Sequence, residues 1–251
     1  MPERTVSLDK SGPVARLTLR RAAAANAVDS ALLADLARAC DAIESDDSVR
    51  AVILAADGAD FCRGWDKSLL AGEGGPPADA FGCLAELPRT VVCAVQGEAL
   101  SAGLELALAC DIRVASEDAR LGLPETKLGL VPMGGGTQRL ARLVGRGKAL
   151  EMILTGEPVD AQEALRVGLA NAVVPRDRLA AEAEAVASRI AERGPVAVRF
   201  AKEAISRGLE MTLEQALRYE TDLTVILQTT EDRAEGVRAF LEKRKPRFKG
   251  R

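Results

Sequence analysis

The chain has no histidine. Without that side chain a Ser-His-Asp or Cys-His nucleophile is impossible within the chain, and histidine-ligated zinc or iron is excluded. The cysteines (Cys40, Cys62, Cys83, Cys93 and Cys110) show no CxxC spacing. A thiolate zinc site is therefore not expected, and they read as reduced, mostly buried thiols of a cytoplasmic protein. No uncharged apolar run approaches the roughly 20 residues a membrane span needs. The N-terminal MPERTVSLDK lacks an apolar core of signal-peptide length. A net charge of -3 offers no global field for nucleic acid. Acid–base chemistry is left to carboxylates, lysines, cysteines and the single tyrosine, Tyr219.

What is present is a large apolar inventory, 47% of 251 residues, enough for one large domain or a domain with an appendage. Short β-rich runs alternate with helical ones over the first two thirds. PVARLTLR (13–20) alternates as a strand does, and DSALLADLARACDAIES (29–45) carries a helical stripe of Leu32, Leu33, Leu36 and Ile43. RAVILAAD (50–57), TVVCAVQG (90–97), DIRVAS (111–116) and ANAVVP (170–175) read as buried strands, with helices at 101–110, 137–144, 146–154 and 160–167. This alternation predicts an α/β core. Beyond about Leu179 the strand signal stops. The rest reads as helices separated by Gly194-Pro195 and Gly208, ending in a basic tail that includes Lys243 and Arg244. AGEGGPPADAFG (71–82) has the composition of a loop.

Three segments could carry chemistry. In QGEALSAGLELALACD, Glu105 interrupts a run that is apolar on every helical face, so a carboxylate falls on a helix expected to be buried. Such a group needs a partner or a proton. SAG leaves the first helical amides sterically approachable, where a developing oxyanion would meet ready donors. A structural carboxylate bonded to a neighbouring loop fits the same pattern equally well. Glu125, in LPETKLGLVPMGGGTQRL, reads first as a helix-start acid. The GGGT after it lacks the GK[ST] ending of a phosphate loop. FCRGWD (61–66) follows a strand, so Gly64 and Trp65 occupy a loop at a strand's carboxyl end, where α/β proteins bind ligands. Cys62 beside Arg63 reads as a small packing residue rather than an activated thiol.

Together these segments, with Asn26-Ala27, ALEMILTGEPVDAQEALRVGL and the closing EGVRAFLEKRKPRF, resemble the crotonase superfamily, the enoyl-CoA hydratase/isomerase family, over nearly the whole chain. The resemblance implies a crotonase-like spiral of ββα units (1–193) carrying the acyl-CoA site, and a C-terminal helical trimerisation region (194–251). The partner it implies is an acyl-CoA thioester, with no cofactor apart from the coenzyme A of the substrate. Self-association is expected as a homotrimer or a dimer of trimers. By resemblance the thioester oxygen is held by the backbone N–H groups of Trp65 and Ala102, Ala102 standing where a glycine is common. Glu105 and Glu125 match the two catalytic glutamates of the family's hydratases. Coenzyme A binding falls to Ala23, Ala25 and Arg63, with Phe240 and Lys243 reaching toward the coenzyme A of a neighbouring subunit. Ala22 replaces the usual proline there. Trp65 and Met133 are expected to line the acyl pocket. Retention of both glutamates favours water addition to a 2,3-enoyl-CoA. Isomerisation, hydrolysis or decarboxylation of an acyl-CoA remains the alternative.

Overall fold

Apolar runs with few polar interruptions become central strands here, because both faces of the main sheet are covered. The computed structural model describes residues 4–71 and 75–251, so Gly72, Glu73 and Gly74 of the expected loop 71–82 lie outside the described residues. The elements run β1 (Val6–Ser11), β2 (Val14–Leu19), α1 (Ser30–Glu44), β3 (Ala51–Ala56), α2 (Lys67–Leu70), α3 (Gly82–Ala85), β4 (Thr90–Val95), β5 (Glu98–Leu100) and α4 (Ala102–Leu108). They continue with β6 (Ile112–Ser116), β7 (Arg120–Gly122), α5 (Gly136–Val144), α6 (Arg146–Thr155), β8 (Val159–Asp160), α7 (Ala161–Arg166), β9 (Ala172–Val174), α8 (Leu179–Ala191), α9 (Pro195–Gly208), α10 (Leu213–Gln228) and α11 (Glu231–Leu241).

The main sheet has the order β1-β2-β3-β4-β6-β9. Only β1–β2 is antiparallel; every later pair is parallel. A smaller sheet, β5-β7-β8, stands apart from it. Successive side chains of a strand point to opposite faces. In β3, Val52 and Leu54 therefore enter the main core with Leu32 and Leu36 of α1, while Ala51 and Ile53 meet α8. The α8 stripe Leu179, Ala183, Ala187 and Ala191 recurs every four residues, so mostly methyl groups face the sheet and the helix sits close to it. Asp29 caps α1 by accepting the Leu32 N–H at 2.8 Å.

Every strand and helix anticipated above from the apolar patterns is present, with ends shifted by a residue or two. The short strands β5, β7 and β8 were not anticipated, nor was β1. Four of the six β1 residues are exposed, as suits an edge strand whose polar side chains mask the apolar rhythm. After α8 the helices bury little of their own surface; α9 has no buried residue and is tied to the sheet by Lys202, which donates to the Arg89 carbonyl at 3.0 Å and to Asp111 at 2.7 Å. The tail then folds back along α11, where the Lys249 and Gly250 amides donate to Asp232 at 2.6 and 2.7 Å. Arg50 donates to the Phe248 carbonyl at 2.8 Å, tying the tail to the core. Among the described residues no helix is long and apolar enough to cross a membrane.

Candidate active site

Two backbone turns from distant parts of the sequence meet at the start of α4. Gly64 adopts φ +121°, and a Cβ there would lie 2.9 Å from the Ser101 Cβ. Only glycine permits that approach. Ser101 itself is held at φ 53° and ψ -125°, with its N–H donated to the Gly122 carbonyl at 2.9 Å. The residues that follow these two turns are Trp65 and Ala102. Among the described residues neither the Trp65 nor the Ala102 N–H has an acceptor. Two free amides thus emerge from two packed turns, an arrangement suited to holding a carbonyl oxygen. Ala102 as the first helical residue leaves its amide as open as a glycine would. The Trp65 ring is largely buried and stacks on Phe81, with centroids 5.6 Å apart and planes inclined by 15°.

All seven residues of α4 are buried, Glu105 completely. Its carboxyl is only half satisfied. Oε1 accepts the Gly136 N–H at 2.9 Å, while Oε2 has no partner. The glycine run is what allows this fit. A Cβ at Gly134 would fall 2.7 Å from Glu105 Oε2, and one at Gly136 2.9 Å from Oε1. The run therefore cradles a carboxyl rather than a phosphate. Burial pushes Glu105 from the ordinary 4.5 to about 7. The Gly136 amide opposes the rise, and the nearby Glu125 charge adds to it.

Glu125 opens a single 3-10 turn after Pro124, so the helix-start reading of its position is correct. It is nevertheless buried, and neither carboxyl oxygen has a hydrogen-bond partner. Burial raises its proton affinity; the Ser101 hydroxyl nearby opposes this without completing a hydrogen bond. Two buried carboxyls with three idle oxygens lie close enough to feel each other's charge, and burial makes both hold a proton more tightly than an ordinary carboxyl, which suits acid–base exchange. Cys62, by contrast, is pushed up to about 12 by burial and stays a thiol, in keeping with a packing role.

The remaining site residues fall into separate groups. Ala22–Ala24 form a 3-10 turn, with Ala22 at the position where the resemblance implied a proline, and Ala25 and Asn26 follow at φ 48° and 54°. The buried Asn26 side chain stabilises that bend. Its Oδ1 accepts the Arg21 N–H at 2.9 Å, and its Nδ2 donates to the carbonyls of Asp57 at 2.9 Å and Asp60 at 3.1 Å. Ala23 is exposed and Ala25 half-buried. The Arg63 N–H donates to the Ala25 carbonyl at 3.0 Å, joining the two segments expected to meet coenzyme A. The Arg63 guanidinium lies between Asp60 at 2.9 Å and Glu98 at 2.7 Å. Phe240 is 82% exposed at the end of α11, and Lys243 is exposed just beyond. Met133 is also exposed, at the mouth of a cavity beside the glycine run.

Sequence reasoning missed Phe81, Gly136 and the strained Ser101. Phe81 sits in a segment of loop composition, and no residue pattern signals that it would stack on Trp65. The glycine run was visible, but its partner is 31 residues away.

This two-sheet core with helices projecting beyond it is the crotonase fold. The crystal structure of enoyl-CoA hydratase from Bacillus anthracis superposes with a TM-score of 0.93 at 40% identity, covering 98% of this chain and 100% of that one. The sequence pattern of the enoyl-CoA hydratase/isomerase family matches residues 9–251, and the chain belongs to that family. It is 42% identical to the 2,3-dehydroadipyl-CoA hydratase of Escherichia coli (strain K12), over 94% of each chain. It is 41% identical to the short-chain-enoyl-CoA hydratase of Clostridium acetobutylicum, over 96% of this chain and 95% of that one.

Proposed function

We propose that the protein is an enoyl-CoA hydratase, a lyase that reversibly adds water to a 2,3-enoyl-CoA thioester to give the 3-hydroxyacyl-CoA. The observation that carries this reading is the pair of buried carboxyls with idle oxygens, Glu105 and Glu125, next to two free amides. The hydratase activities of the relatives from Escherichia coli and Clostridium acetobutylicum support it.

The chemistry follows from the geometry. The thioester oxygen sits between the Trp65 and Ala102 amides, which meet the negative charge that develops when the double bond is attacked. A water held by the two glutamates loses a proton to one carboxylate as its oxygen bonds to C3. The C2–C3 π electrons move toward the thioester as an enolate. The other glutamate delivers a proton to C2, so one water is added across the double bond, and a proton then passes from the first carboxyl to the second, directly or through a water, to reset both for the next turnover. A carboxyl near 7 can act in either role at neutral pH.

Coenzyme A is held along the bend at Ala23 and Ala25 and beside Arg63, and Phe240 and Lys243 approach the coenzyme A of a neighbouring subunit. The apolar side chains left exposed on the last helices, among them Leu213, Leu217 and Ile226, are covered by association as a trimer or a dimer of trimers. Trp65 and Met133 line the acyl pocket. The reaction needs no metal, and EDTA leaves turnover unchanged; loss of turnover restored by a divalent ion would contradict this. The test of the activity itself is hydration of crotonyl-CoA, followed by loss of the enoyl chromophore and recovery of 3-hydroxybutyryl-CoA.

A further inference from the structure

A cavity of about 330 Å³ opens beside the glycine run, lined by Asp79, Met133, Gly135, Gln138, Arg139, Arg142 and Glu210. Two guanidiniums converge on it, and each is fixed to backbone. Arg139 donates to the Gly134 carbonyl at 2.9 Å, and Arg142 to the Gln138 carbonyl at 3.2 Å. Their carboxylate partners are held far more loosely. Asp79 is 3.4 Å from Arg139 and Glu210 is 3.4 Å from Arg142, with the acid side chains 66% and 65% exposed. Long, solvated pairs of this kind contribute little and are readily exchanged for another anion. The cavity therefore holds two anchored cations whose present counter-ions are replaceable.

Its position relative to the glutamates gives the cavity a purpose. A Cβ at Gly134 would touch both Glu105 Oε2 at 2.7 Å and the Phe81 ring at 3.0 Å, so Gly134 separates the reacting centre from the cavity. Arg139 grips the carbonyl of that same residue. One residue spans about 3.5 Å, so the guanidinium stands a short chain's length beyond Glu105. Met133 borders the same space.

We propose that this cavity binds the anionic far end of the acyl group, so that the substrate class is an enoyl-CoA whose chain ends in a carboxylate. This rests on the hydratase reading above. The terminal carboxylate displaces Glu210 and Asp79 and takes up the planar, forked donors of Arg142 and Arg139, a geometry that suits a carboxylate better than a point charge would. Hydrogen bonds to a charged group are worth about ten- to a hundredfold in binding when they are short and two-pronged, a geometry that the 3.4 Å pairs with Asp79 and Glu210 lack.

The experiment compares 2,3-dehydroadipyl-CoA with 2-hexenoyl-CoA, which has the same chain length and no terminal charge. The wild-type protein is expected to favour the first by about tenfold or more in kcat/KM. Arg142→Met should remove that preference through a higher KM while leaving 2-hexenoyl-CoA unchanged. Glu210→Gln should move the other way and lower KM for the charged substrate, a gain that mere structural damage cannot produce. Equal use of both substrates by the wild type, or an equal loss on both in Arg142→Met, overturns the proposal and leaves the hydratase reading standing. No hydration of either substrate overturns the proposal, and the hydratase reading falls with it only if crotonyl-CoA is not hydrated either.

Discussion

Helices α4 and α10 are both at least half apolar in sequence and meet opposite fates. In α4 all seven residues are buried, and the one carboxylate among them lies within hydrogen-bonding reach of a single amide. In α10 only Leu223 of sixteen residues is buried, while Leu213, Leu217, Val225 and Ile226 stand exposed. The helix that hides everything is the place where a charge is costly and hence chemically useful. The helix that hides almost nothing gains little within its own chain, and its apolar face is the surface that the proposed self-association would cover.

The largest expected effect breaks the α4 side of the comparison. Glu105→Gln keeps shape and the contact to Gly136 but cannot exchange a proton, so kcat should fall by about 100- to 10,000-fold with KM little changed. Glu125→Gln should do the same. The double variant should lose little more than either single one, because both groups act on one water. Steady-state kinetics on crotonyl-CoA checks all three. A harmless Glu125→Gln would leave Glu105 as the lone acid–base group and point to proton shuttling within the substrate.

Next in size is the structural difference between the two helices. Leu104→Ala removes a fully buried side chain from α4 and should cost about 2–5 kcal/mol. Leu217→Ala on α10 should change the stability of the separate chain by no more than about 0.5 kcal/mol. Denaturant melts at low protein concentration measure both. Leu217→Glu should lower the oligomer mass seen in light scattering, and an unchanged mass would remove this face from the interface.

The pH dependence of stability follows from Glu105 with a definite sign. Its folded value of about 7 lies above the ordinary 4.5, so the folded state holds the extra proton between those values. Stability from this group is fully present below about 4.5 and is lost as pH rises through about 7, by on the order of 3 kcal/mol. Glu105→Gln should flatten that decline, measured as denaturant midpoints between pH 5 and 8. An unchanged slope would mean that another group causes it.

The sequence carried every strand of the main sheet but β1, and helices α1 and α4 to α8, because each has a clear apolar period. It carried Glu105 for the same reason, as a lone acid in an apolar run. Glu125 was legible mainly through resemblance, since an acid after Pro124 is ordinary at a helix start. The strands β5, β7 and β8 have two or three residues each, too few to show a period. The contacts that shape the site were the least visible. Gly136 reaches Glu105 across 31 positions, and Gly64 reaches Ser101 across a similar gap. Close approaches between distant glycines and side chains leave no local pattern.

The central claim is that the paired buried glutamates add water rather than move a double bond. The direct measurement is turnover of crotonyl-CoA in water enriched with oxygen-18, with mass analysis of the product. Label at C3 of the hydroxyacyl-CoA, lost in Glu105→Gln, is the predicted result. A product whose double bond has migrated without taking up label would contradict it.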